Sequence, residues 1–140
     1  MNFPYIEIEG TSYEIGYQEG QNFKKQILGS INCYKQMFMD YSNLSWERAK
    51  ELSKQFIPVI TEYNKDYLEE MRGIADGSGF DFEDILALNC RSELVFVGKE
   101  FDKQDGGCTS IGVTSDVGKD GNAYLAHNWD WKTSRAHPWL

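Results

Sequence analysis

Apolar positions recur every three or four residues over much of the first hundred positions, the period of amphipathic helices. Phe23, Ile27, Ile31, Tyr34 and Phe38 make one such stripe. Thr11 and Glu14 have the spacing of a capping box, so a helix is predicted from about residue 12 to 39. Gly16, Gly20 and Gly29 each cost about 1 kcal/mol relative to alanine in a helix interior. Gly16 and Gly20 either admit a closely packed neighbour or mark a kink. Ahead of this helix, FPYIEI alternates and predicts a short strand at residues 3–8.

Ser45 is a good N-cap for a second helix, with Ala49, Leu52 and Phe56 on its buried side and a weak staple from Leu44 to Ala49. Pro58 fits a helix start better than a helix interior. Ile60, Tyr63, Tyr67, Met71 and Ile74 then repeat at helical spacing until Gly77-Ser78-Gly79. Asp81 caps a fourth helix through Ile85, Leu88, Cys90 and Leu94 to Gly98. Its apolar residues spread over more than one face, which predicts broad burial, with Cys90 as a small core residue.

The pattern changes after residue 100. FDKQDGG is polar, CTSIGVTS reads as a strand, and Asp120-Gly121 is a strong turn signal. AYLAHNWDW then reads as the returning strand. Two strands alone do not make an independent sheet with a buried face. The last 33 residues therefore read as the opening of a larger β-rich domain, or as a hairpin that docks on the helices or on a second copy.

Composition fits a globular chain of 140 residues: 41% of them are hydrophobic and 26% charged. The net charge of -8 argues against nucleic acid or anionic lipid as a main partner. The acidic excess lies in residues 1–107, which hold 19 Asp and Glu against 11 Lys and Arg; residues 108–140 hold three of each. No apolar run approaches the roughly 20 residues that span a bilayer, and the first residues lack a signal-peptide pattern. Cys33, Cys90 and Cys108 are odd in number and widely spaced, unlike a disulfide or zinc framework, and a cytoplasmic setting is expected.

Cys108 is the chemical candidate. Two glycines precede it, and Thr109 and Ser110 follow. A thiol entering a strand from so permissive a link is placed to attack the Gly107 carbonyl. The acyl group would move from nitrogen to sulfur, and hydrolysis would free Cys108 as a new N-terminus. An α-amine titrates near 7.7–8.0, so it can act as base for its own thiol. The competing reading is a free cysteine at a strand start, with the glycines serving a turn.

The chain resembles the acyl-coenzyme A:6-aminopenicillanic acid acyltransferase family of N-terminal nucleophile hydrolases, also classed as self-processing cysteine peptidases. The resemblance rests on YEIGYQEG at 13–20, GCTS at 107–110 and HNWDW at 127–131, in that order. It covers the first part of a family member. It implies that Cys108 both cuts the Gly107–Cys108 bond and performs catalysis, and that Asp130 orients and charges the freed amine. A solvated or capping aspartate is the alternative for Asp130. Asn128 and His127 are further candidates. Related cholylglycine and penicillin V hydrolases carry arginine where this sequence has His127. Alternation sets Asn128 and Asp130 on one face, Trp129 and His127 on the other.

The fold the resemblance implies is α+β: a helical N-terminal segment, then the first β-hairpin of an incomplete αββα N-terminal nucleophile hydrolase fold. Residues 1–107 would be a pro-segment or small subunit, and residues 108–140 the start of the catalytic domain. An oxyanion-hole asparagine would lie further along than residue 140, so these residues alone are not expected to turn over substrate. The expected reaction is amide hydrolysis or acyl transfer through a thioester, with no cofactor and with acyl-CoA as a candidate substrate. The expected partners are a small amide or acyl-CoA, the remainder of the catalytic domain and a second copy, with no nucleic acid and no membrane. The alternative is a non-catalytic helical scaffold or oligomerisation module. A metal site from Cys108, His127, Asp130 and His137 has permitted ligands but no compact zinc spacing.

Overall fold

The computed structural model describes residues 4–95 and 108–128, in two compact units: a helical unit and a β-hairpin unit. The arrangement is α+β, six α-helices and then a two-stranded antiparallel sheet among the described residues.

Helix α1 spans Ser12–Ser42. Its capping box is formed: the Thr11 N–H donates to the Glu14 carboxylate at 2.8 Å, and the Thr11 hydroxyl accepts from the Glu14 N–H. The Thr11 N–H, and secondarily the Thr11 hydroxyl donating to the same carboxylate at 2.9 Å, hold the Glu14 carboxyl below the usual carboxylate range. Asn43 ends the helix in the left-handed region, at φ 49°. Residues 4–9 form no strand. Instead the Gln18 side-chain amide donates to the Glu9 carbonyl at 2.9 Å, which ties this segment to α1 without a strand partner.

Helix α2 spans Trp46–Ser53 behind its Ser45 cap, and α3 spans Ile57–Asn64 with Pro58 in its first turn. The long helix expected after Pro58 is two helices. Lys65 separates α3 from α4, Asp66–Ser78, and the Asn64 side chain accepts from the Asp66 N–H at 2.9 Å. Tyr63, expected on the apolar stripe, is 79% exposed. Gly79, at φ 73°, closes α4 as the Gly-Ser-Gly signal predicts. Helix α5 spans Phe82–Asn89 and α6 spans Arg91–Val95; Cys90 interrupts the expected single helix at φ -90°, ψ 16°. The predicted stop at Gly98 lies outside the described residues.

The glycines of α1 admit α4. A Cβ on Gly16 would sit 2.0 Å from the Glu70 carbonyl oxygen, and one on Gly20 would sit 2.4 Å from that of Ile74. Gly73 and Gly77 answer from α4, where a Cβ would lie 2.1 Å from the Tyr13 oxygen and 2.2 Å from the Tyr17 oxygen. The two Gly-xxx-Gly faces run in the same direction, because higher numbers on α1 meet higher numbers on α4. Backbone-to-backbone approach of this kind needs hydrogen at all four positions. The Tyr13 hydroxyl adds a 2.7 Å bond to Asp76. The break in α1 falls beyond these glycines, at Phe23 (φ -115°, ψ 20°).

The core lies below this seam. Ile27, Ile31 and Phe38 of α1 pack with Leu68, Met71, Ile85, Leu86 and Leu94. Phe38 stacks on Trp46 at 5.7 Å between ring centroids, and the Trp46 indole N–H donates to Asp84 at 2.7 Å. Lys50 bridges Asp81 and Asp84 at 2.9 and 3.3 Å, tying α2 to the start of α5. Cys90 is 6% exposed, as expected of a core residue, and burial pushes its thiol up to about 11.

Glu19 lies half-buried on α1. Burial, and secondarily the Glu70 charge, raise its carboxyl above the ordinary 4.5. A raised carboxyl stabilises the fold fully below its unfolded value and loses that contribution as pH rises through the folded value. Glu19→Gln is therefore expected to raise the melting temperature at neutral pH and to leave it unchanged near about pH 3.5. Thermal melts at the two pH values check this; an equal gain at both contradicts it.

Candidate functional site

Strand β1 spans Thr109–Val113 and β2 spans Tyr124–Asn128. The register pairs Thr109 with Asn128, Ser110 with His127, Ile111 with Ala126, Gly112 with Leu125 and Val113 with Tyr124. The connection is ten residues, longer than a two-residue hairpin turn, and internal bonds order it. The Gly118 N–H donates to the Thr114 carbonyl at 2.9 Å, and Gly121 adopts φ 75°. The Asp120 carboxylate accepts from the Tyr124 hydroxyl and from both nitrogens of Asn122. Those bonds, Tyr124 first, hold its carboxyl at about 2.

Cys108 immediately precedes β1 and is exposed. It therefore differs from Cys90, which is buried and held protonated. Asn128 is exposed opposite Thr109. His127 lies directly opposite Ser110, with its Nδ1 at 2.6 Å from the Ser110 hydroxyl. The sequence offered Ser110 only as a small residue of the GCTS run. The signal that finds the pair is the register, which depends on the length of the connection. Gly107, Trp129, Asp130 and His137 lie outside the described residues. Among the described residues no cluster of three His, Cys, Asp or Glu side chains is able to hold a metal ion.

In the helical unit an open groove of about 610 Å³ is lined by Glu9, Gly10, Tyr13, Glu14, Tyr17 and Gln18. Tyr13, Glu14 and Gln18 are engaged in the structural bonds already described. The YEIGYQEG run therefore builds a cap and a helix seam. Among the described residues no helix is long and apolar enough to cross a membrane.

The chain is a distant homologue of an acyltransferase-like protein. It is 27% identical over 130 residues to the 40 kDa form of acyl-coenzyme A:6-aminopenicillanic-acid-acyltransferase of Emericella nidulans, covering 93% of this chain and 34% of that protein. It is 30% identical over 114 residues to protein dcd1A of Dictyostelium discoideum, covering 64% of this chain and 24% of the relative. It is also 23% identical over 87 residues to a beta-alanyl-dopamine/carcinine hydrolase of Drosophila melanogaster, covering 61% and 22%. The chain thus spans about a third or less of the length of these relatives. No family model matches it.

Proposed function

We propose that this chain carries the self-processing junction and the nucleophile of an N-terminal cysteine amidohydrolase or acyltransferase. The observation that carries the reading is the place of Cys108. An exposed thiol stands one residue ahead of β1, in a chain similar over 93% of its length to an acyltransferase.

In this reading the Cys108 sulfur attacks the Gly107 carbonyl carbon, the peptide C–N bond breaks, and water hydrolyses the thioester. The freed α-amine then serves as base for the thiol in attack on an external acyl group. In this proposal Asp130 accepts hydrogen bonds from the ammonium and favours its charged form. Residues 1–107 are the smaller product. The reaction needs a reduced thiol, which a cytoplasmic location provides.

The substrates are small acyl compounds whose acyl group passes to or from an amine. The names of two relatives, one an acyl-coenzyme A acyltransferase and the other a beta-alanyl-dopamine/carcinine hydrolase, support that class. The test is an acid-quenched incubation with acetyl-coenzyme A or a β-alanyl amide, read by mass spectrometry. A thioester adduct is expected on Cys108 and absent from Cys108→Ala. An adduct confined to Cys33 or Cys90, or none, sinks the reading.

A further inference from the structure

The amine that serves as base after processing is still an amide nitrogen before it. An amide nitrogen has no proton-accepting lone pair for the thiol. The first cut therefore needs a different base. The described hairpin holds Asp116, Lys119 and Asp120, all in the connection at the end away from Cys108, and His127 in β2. The other titratable groups are the Cys108 thiol and the Tyr124 hydroxyl, which is bonded to Asp120.

His127 is paired directly with Ser110, so the two share one face of the sheet. Residues two apart on an extended chain also share a face, which sets Cys108 on the side of Ser110. Cys108 and His127 are thus diagonal neighbours, within reach of long side chains. Ser110 fixes the ring from its other edge, through the 2.6 Å contact at Nδ1. In the tautomer with the proton on Nδ1, the Ser110 hydroxyl accepts from Nδ1–H and Nε2 is unprotonated, the form a general base requires; the proposal assigns this tautomer.

We propose that His127 is the general base of the first cut, with Ser110 as its positioning residue. This rests on the self-processing reading given above. Nε2 takes the thiol proton as the sulfur–carbon bond forms at Gly107. It returns that proton to the Cys108 nitrogen as the carbon–nitrogen bond breaks. Water then hydrolyses the thioester, giving the Gly107 carboxylate and restoring the Cys108 thiol. After the cut the amine takes over as base.

The test follows cleavage of the full chain by intact mass against pH in wild type, His127→Gln, His127→Ala, Ser110→Ala and Cys108→Ala. The wild-type rate is expected to rise with pH along a limb that His127→Gln removes, with a loss of about a hundred- to ten-thousand-fold. Added imidazole is expected to restore part of the rate to His127→Ala. Ser110→Ala is expected to slow the cut about tenfold and to keep the limb. His127 is exposed, so circular dichroism is expected to match wild type in all variants. Cleavage of His127→Gln at the wild-type rate and pH profile overturns the role of His127. Slowing that keeps the pH limb and ignores imidazole also overturns it, because that is a structural effect. No cleavage in either wild type or Cys108→Ala overturns the self-processing reading and this one with it.

Discussion

Gly16→Ala is expected to lower the melting temperature by about 10 °C. The added Cβ would stand 2.0 Å from the Glu70 carbonyl oxygen, against ordinary contacts of 3.4–4 Å. The obstacle is backbone within a packed helix, so no side chain is able to turn aside. Overpacking costs about 3 kcal/mol in such a site, and better helix propensity returns about 1 kcal/mol. The net of about 2 kcal/mol corresponds to about 10 °C for a domain of this size. Gly73→Ala meets the Tyr13 oxygen from the other side and is expected to do the same. Leu28→Ala, at a position 45% exposed on the same helix, is the control and is expected to change stability by about 0.5 kcal/mol or less. Melting within about 2 °C of wild type for both glycine variants would remove the seam from the account.

Asp130→Asn is the second large effect, and it falls on chemistry. The amide keeps the size of the carboxylate but not its charge, so the ammonium loses the partner that the proposal assigns to it. A loss of about a hundredfold or more in the rate of thioester formation on Cys108 is expected, with folding unchanged. The Cys108 acylation rate, compared at saturating acyl donor in wild type and Asp130→Asn, checks this. A variant with the wild-type rate excludes Asp130 from the handling of the amine.

Much of the helical unit was legible because its signals are local. Thr11 with Glu14 and Ser45 fix helix starts through side-chain bonds to backbone N–H groups, Pro58 through its restricted φ, and Gly79 through its own N–H bond to the Ala75 carbonyl, and the structure places ends there. Two expectations failed where local period was the only guide. Tyr63 continues a helical stripe, but the Asn64 side chain restarts the chain at Asp66 and α3 leaves Tyr63 in solvent. Cys90 continues another stripe, yet its backbone leaves the helical region. The strand expected at residues 3–8 failed for a different reason: alternation allows a strand, but only a partner makes one, and the bond from Gln18 takes its place. Gly16 and Gly20 announced a close approach but not their partner, since Gly73 and Gly77 lie more than fifty residues along the chain.

Of the candidate site, the sequence made Cys108 legible as the proposed nucleophile and left the hairpin geometry opaque. GGCTS marks Cys108 by composition alone. The Ser110–His127 contact depends on the register, and a one-residue slip would have moved His127 to the other face. Ten residues of connection leave that register open in the sequence. Five paired positions and the bonds around Asp120 close it in the structure.

Cys108 is proposed to cut the chain before itself. Intact mass spectrometry of the purified wild-type protein, with N-terminal sequencing of the products, tests it most directly. The expected products are a fragment beginning at Cys108 and an N-terminal fragment ending at Gly107, with neither in Cys108→Ala. A wild-type chain that stays whole under reducing conditions, or one cut elsewhere, contradicts it.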